Sequence, residues 1–331
     1  MIDAVLETGT IDEPTARALA ELRELLPGRV HSAADAEERG LVRCFNTALQ
    51  HTAPIVVAAT GPADVVHVVQ TARRHGIPVT AIGSGHGLLH SIDRGVIVLT
   101  RGIASVHLDP ERRLVRVGAG TVWSEVLDAA APHGLAPLAG SAPHVGVIGY
   151  LLGGGLGPVA RTFGYAADYV RELEVITGVG EHLVVSADSH ADLFWALRGG
   201  KRGLGIVVAV TIELLPLAEL YGGGLYYTGD AVASALHAWG RWTETLPTEM
   251  STSAAIVRLP PLPELPDPIR GQTVLHVRTA YVGTAEQAEG VLAPLRAAAA
   301  PVLDSIGHLP YSALGSIHQD PANPMPVVEG G

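Results

Sequence analysis

His86 is the residue in this chain best placed to do chemistry. It lies in Ile77-Pro-Val-Thr-Ala-Ile-Gly-Ser-Gly-His-Gly87, between Gly85 and Gly87. A neutral imidazole is a nucleophile, a base and a metal ligand. Bare glycine lets the backbone approach a ligand closely and adopt positive φ at little cost. A second glycine-dense stretch follows, Gly140-Ser-Ala-Pro-His-Val-Gly-Val-Ile-Gly-Tyr-Leu-Leu-Gly-Gly-Gly-Leu-Gly157. Each stretch follows an apolar run that reads as a strand or strand end. Two such loops imply a large, phosphate-bearing cofactor lying on main chain, and ordering so much glycine is costly unless something needs bare backbone.

Other chemistries fit less well. A dinucleotide fingerprint wants Gly-x-Gly-x-x-Gly between a strand and a helix. Gly155-Leu-Gly157 is followed by Ala160, and Gly118-Ala-Gly120 by Trp123, so both matches are partial. His86 and His90 are spaced like zinc ligands, but the glycines around His86 oppose a helix and no Glu follows it. Neither Ser84 nor Ser141 sits in a Gly-x-Ser-x-Gly elbow, and there is no Gly-x-x-x-x-Gly-Lys-Ser/Thr loop.

The elements that must position the loops read as follows. A helix spans 14–26 and stops at Pro27-Gly28. A strand at 54–59, a helix at 62–75 closed by Gly76, and a strand at 77–82 form a β-α-β unit of parallel-crossover length. Short strands follow at 95–100, 104–108 and 113–117, then a helix at 122–133. A hairpin is expected over 170–186 around Gly178-Val-Gly180, a helix at 191–197, and a buried, β-branched strand at 205–215. From Pro216 the order becomes strand (221–228), helix (230–246), strand (251–258), strand (271–282) and helix (284–299). That order predicts an antiparallel sheet with helices on one face. The tail from Ile317 is polar and Pro-rich, with no closing element.

Composition bounds the class. The chain has 331 residues, 47% of them hydrophobic and 17% charged, enough for two domains with large cores. A net charge of −11 argues against nucleic acid or an anionic membrane as main partner. The single cysteine, Cys44, excludes an internal disulfide framework and a cysteine-built zinc site. The fifteen histidines are scattered without ligand spacing. No secretory leader and no apolar run of membrane-spanning length is evident, so a cytoplasmic protein acting on a small molecule is expected.

Residues 46–216 resemble the PCMH-type FAD-binding domain of the vanillyl-alcohol-oxidase superfamily, most of all its berberine-bridge-enzyme-like FAD-linked oxidases. The resemblance rests on segments in register. They are Pro54-Ile-Val-Val with Asp64, Gly83-Ser-Gly-His-Gly87, Val115-Arg-Val-Gly-Ala-Gly120, His133-Gly-Leu, the Gly140–Gly157 stretch, Arg161 with Gly164 and Asp168, and Asp192-Leu-Phe-Trp-Ala-Leu-Arg-Gly-Gly200. It implies an α+β fold of two α/β subdomains, followed by a partial antiparallel substrate domain at 217–331. Residues 1–45 would be a helical extension. It implies FAD held covalently through His86 at the flavin 8α-methyl. Ile82, Gly83, Ser84, Gly85, His86 and Gly87 would wrap the pyrophosphate and ring edge. Gly140, Ser141, Gly146, Gly149 and Gly153 would line the other side, and Ile206 the adenine end.

Departures matter too. Doubly tethered relatives carry cysteine where this chain has Ala142, and Cys44 is distant in sequence, so a second tether is not expected. The usual Gly-Asn-Phe-Gly turn is Arg202-Gly-Leu-Gly205 here. The tail through Met325-Pro-Val-Val resembles a mid-domain family segment, so the chain reads as C-terminally truncated. The implied activity is hydride transfer from an alcohol, sugar or amine-type molecule to FAD, with reoxidation by dioxygen or another acceptor. The alternatives are an inactive FAD-binding remnant and a nicotinamide-dependent dehydrogenase. No catalytic base is assigned: Tyr226, Tyr227 and Tyr281 read as strand packing, Phe194 and Trp195 as core, and His144 is left open.

Overall fold

The computed structural model describes residues 11–201 and 203–327. Arg202, the residues before Ile11 that were read for a secretory leader, and the last residues of the tail therefore lie outside the described residues.

The first sheet contains β1 (Val30–Ser32), β2 (Ile55–Ala58), β3 (Val79–Ile82) and β4 (Val96–Leu99). Its order is β1-β2-β4-β3, with β2, β3 and β4 parallel and β1 antiparallel to β2. The expected parallel crossover is present, but β4 lies between its two strands. All four β4 residues are buried, which suits a strand flanked on both sides. Helices α1 (Glu13–Leu25), α2 (Ala33–Glu38) and α3 (Pro62–His75) accompany this sheet. Asp12 caps α1 by accepting from the Thr15 N–H at 2.8 Å. Gly76 ends α3 at φ +67, a left-handed cap that glycine adopts without strain. Ala18 and Leu22 of α1 pack with Val65, Val68 and Ala72 of α3 over the sheet.

The second sheet contains β5 (Val106–Asp109), β6 (Leu114–Gly118), β7 (Val170–Ile176), β8 (His182–Ser186) and β9 (Ile206–Glu213). It is antiparallel throughout, in the order β5-β6-β9-β7-β8. The long apolar β9 is central and buried on both faces. Val207 and Val210 join one core, while Val208 joins the core under the first sheet. Helices α4 (Trp123–Ala130), α5 (Val147–Leu151), α6 (Ala160–Phe163) and α7 (Ala191–Leu197) belong to this half.

The third sheet contains β10 (Glu219–Thr228), β11 (Met250–Arg258), β12 (Thr273–Tyr281), β13 (Leu303–Asp304) and β14 (Gly307–Pro310). The order is β11-β12-β10-β13, and β14 also pairs with β10. Helices α8 (Ala231–Thr243) and α9 (Ala285–Ala298) cover one face. There Leu225, Tyr227, Leu275 and Val277 meet Trp242, Leu292 and Leu295. Strand alternation puts Gly222, Gly224, Tyr226, His276, Arg278 and Ser253 on the opposite face.

Two features depart from expectation. One core runs across the anticipated boundary near 216: Leu220, Ala280, Tyr311 and Leu314 share a cluster with Trp123 and Leu127. The tail also has a partner. The Met325 N–H donates to Phe45 O at 2.9 Å, and Asn46 and Val327 exchange two bonds at 2.9 Å. A Pro-rich segment shows no periodicity, and backbone pairing needs none.

Candidate functional site

The first glycine loop leaves the end of β3. Gly85 has φ +80, and a Cβ there would lie 2.8 Å from Cys44 Sγ. Both backbone and space therefore require glycine at that position. Next to it, His86 Nδ1 lies 3.1 Å from Ser84 Oγ, which also accepts from the Gly146 N–H at 3.1 Å. One hydroxyl thus ties both glycine loops together. Burial first, and the neighbouring His144 second, push the His86 pKa down to about 4, so the ring is neutral at pH 7. Phe45 stacks on it with ring centroids 4.4 Å apart, and His144 lies 4.9 Å away. His86 Nε2 is buried and has no hydrogen-bond partner among the described residues. In the tautomer that donates Nδ1–H to Ser84, that nitrogen keeps its lone pair.

The second stretch divides its glycines between two jobs. Gly146, Gly149 and Gly153 line the same cavity as the first loop. Gly140 instead seats the Tyr150 ring, and Gly157 seats the Ala139 carbonyl with the Tyr150 hydroxyl beside it. Added Cβ atoms would come within 2.9 Å of the ring at Gly140, and within 2.3 Å of Ala139 O and 3.2 Å of the Tyr150 hydroxyl at Gly157. Tyr150 in turn packs edge-on against Trp123. Gly140 and Ser141 do not line the cavity. Ser141 turns away and bonds Asp320 Oδ2 at 2.5 Å.

The cavity holds about 1000 Å³. Ile82, Gly83, Ser84, Gly85, His86 and Gly87 form one wall. Ile206 lies with Ile77, Val79 and Gly178 among the apolar lining. Among the described residues no carboxylate lines it, whereas Arg73 and Lys201 do. In a chain of net charge −11, an acid-free cavity with two cations suits an anionic ligand. Bare backbone, an apolar slot and a neutral histidine with an unpartnered nitrogen together fit a flavin dinucleotide.

The remaining residues singled out in the sequence lie elsewhere. Cys44 is close in space to the loop despite its distance in sequence, so that argument against it fails. Its thiol is nevertheless buried and turned to His51 Nε2 at 3.3 Å. His51 Nδ1 accepts from the Ile92 N–H, so Nε2 is the protonated nitrogen and donates to sulfur. Phe194 is core, under the Arg198 guanidinium, but Trp195 is 73% exposed. On a two-turn helix, adjacent residues face opposite ways. Tyr226, Tyr227 and Tyr281 are buried.

Sequence reasoning missed a cluster on the face of the third sheet opposite α8 and α9. His276 stacks on Tyr226 at 4.1 Å, and its Nδ1 accepts from Arg278 Nε at 3.2 Å. His318 Nε2 lies 3.4 Å from Ser253 Oγ. Burial first and Arg278 second push the His276 pKa to about 3, and the same causes lower His318. The available signals were the i,i+2 spacing of His276 and Arg278 on a strand and the His318-Gln-Asp320 run in the tail.

A family profile described as an FAD binding domain matches residues 53–186. The chain is 28% identical to the FAD-linked oxidoreductase azaG of Aspergillus niger over 275 residues, 80% of this chain and 56% of that one. It is 35% identical to the FAD-linked oxidoreductase ZEB1 of Gibberella zeae over 184 residues, 53% of this chain and 33% of that one. Among solved structures, 6-hydroxy-D-nicotine oxidase of Arthrobacter nicotinovorans superposes with a TM-score of 0.78 at 23% identity, covering 89% of this chain and 64% of that one. Xylooligosaccharide oxidase of Myceliophthora thermophila gives 0.76 at 21%, covering 93% and 64%. The α+β fold is therefore that of the PCMH-type, berberine-bridge-like oxidases. The chain spans about half the length of the curated relatives it matches. Among the described residues, no helix is long and apolar enough to cross a membrane.

Proposed function

We propose that the flavin-binding part of an FAD-dependent oxidoreductase resides in this chain, with the cofactor tethered covalently through His86. Bound in the cavity, FAD would supply the two-electron chemistry: it accepts hydride from an alcohol, sugar or amine-type donor and returns the electrons to dioxygen or another acceptor. The chain's own residues do the rest. Ser84 orients the His86 ring, and burial keeps that ring neutral, so Nε2 could bond the flavin 8α-carbon, with one proton lost from that carbon, one from the imidazole, and the electron pair passing to the acceptor that reoxidises the flavin. Ile82 to Gly87, Gly146, Gly149 and Gly153 offer backbone without side-chain bulk. Ile206 closes the adenine end. In this reading residues 46–216 carry the flavin and 217–331 present the substrate side. The net charge of −11 supports a small-molecule enzyme over a nucleic-acid binder, and a cytoplasmic location belongs to the same reading.

The observation that carries the reading is the orphaned His86 Nε2 inside an acid-free, glycine-lined cavity. A visible spectrum before and after acid precipitation tests it. The expected result is flavin absorbance that stays with the pellet and moves to the supernatant in His86→Ala. Free flavin from the parent protein removes the tether and leaves the site. A folded protein that takes up no added FAD sinks the proposal.

A further inference from the structure

Lys201 is a cation in an unusual place. Its backbone has φ +57, a left-handed conformation that residues with side chains rarely adopt. Gly199 at φ +116 and Gly203 at φ +82 flank it, so the segment is built on backbone that favours glycine. A lysine there carries conformational strain, and such strain concentrates where a side chain has work to do. That side chain reaches the cavity wall where the two glycine loops meet. A Cβ on Gly87 would lie 3.2 Å from Lys201 Nζ, and one on Gly153 would lie 3.5 Å from it. Both loops are bare at the points that face the ammonium. Lys201 has no ion-pair partner among the described residues, and no carboxylate lines the cavity.

We propose that Lys201 is the charged anchor for the cofactor's diphosphate and sets the preference for FAD over flavins with fewer phosphates. This rests on the FAD reading above. Backbone N–H groups alone would hold phosphate by dipoles. A point charge adds attraction to a phosphate-bearing flavin that a phosphate-free one lacks, and that attraction weakens with salt.

The test uses the His86→Ala protein, in which flavin binding is reversible, with and without Lys201→Gly. Glycine suits the positive φ, so this variant keeps its fold, which circular dichroism checks. Dissociation constants for FAD, FMN and riboflavin are read from flavin fluorescence at low and high salt. Loss of a charge-assisted contact should weaken FAD by roughly tenfold to a hundredfold. Riboflavin, which has no phosphate, should change less than twofold, and the salt dependence for FAD should flatten. Lys201→Arg should keep part of the FAD preference. Equal weakening of FAD and riboflavin, or no weakening of FAD, overturns the role of Lys201 while leaving FAD binding in place. Failure of the Lys201-bearing protein to bind FAD would instead overturn the FAD reading itself.

Discussion

The two polar regions of this molecule are built on opposite plans. The cavity between the glycine loops is made of backbone. Its lining is mostly apolar or bare, no carboxylate among the described residues enters it, and the buried His86 Nε2 has no partner among them. The cluster around His276 is made of side chains. Tyr226, His276, Arg278, Ser253, His318 and Asp320 come from two neighbouring strands, a third strand and the tail. Backbone sites tolerate few additions but depend little on any one side chain. Side-chain sites depend on each partner, and their glycines matter only where a neighbour has taken the space.

The largest effect should come from Gly85→Ala. The new Cβ would meet Cys44 Sγ at 2.8 Å on a backbone at φ +80. Overpacking and left-handed strain each cost on the order of 1–3 kcal/mol, so a loss of about 3 kcal/mol in urea unfolding is expected. Cys44→Gly should recover the steric part only. Full recovery would mean that the loop adopts another conformation and that the backbone plan is wrong.

Gly224→Ala probes the other plan. Its Cβ would lie 2.2 Å from His276 Nε2, and His276 is held by its stack on Tyr226 and by Arg278. About 2 kcal/mol of destabilisation is expected. Here His276→Ala in the same chain should abolish most of the extra cost, because the obstruction is a side chain. A double-mutant cycle measures that coupling, and additivity would break the comparison.

The same contrast explains what the sequence disclosed. Gly83-Ser-Gly-His-Gly87 is contiguous, so its motif and its function coincide. The strands around it are apolar runs between turn residues, and α3 ends at the glycine that predicts its end. The seam escaped notice because His276, Ser253 and His318 meet only through sheet register and a tail that lacks periodicity. Cys44 escaped for the same reason: distance along the chain says nothing of distance in the fold. Gly140 and Gly157 show the converse limit. Glycine type marks close approach, but whether a cofactor, the Tyr150 ring or the Ala139 carbonyl approaches is decided by tertiary packing.

Acid should separate the regions. Both His86 and His276 have folded pKa values below the ordinary 6.5, about 4 and about 3. The unfolded chain therefore binds more protons, and stability falls as pH drops below about 6.5. The His86 contribution is exhausted near pH 4, while that of His276 continues toward pH 3. Flavin-free protein titrated in urea should show this as a shallower acid slope. In His86→Asn the slope should flatten only above pH 4, and in His276→Asn it should flatten down to pH 3. Identical profiles for the two variants would deny the seam its greater burial.

The smallest effect on stability should be the most informative about the cavity. Gly149 lies within α5, and nothing stands within 4 Å of a Cβ built there. Alanine is the better helix former, so Gly149→Ala should leave stability unchanged or raise it by about 0.5–1 kcal/mol. Yet Gly149 lines the cavity, and a methyl there takes space that a ligand on bare backbone would use. Flavin affinity should therefore fall while the melting temperature does not. That split is what a backbone-built site predicts, because glycine at this position does nothing for the fold alone. If thermal stability and flavin affinity both rise, residue 149 faces solvent beyond the ligand, and the helix wall of the site ends before it.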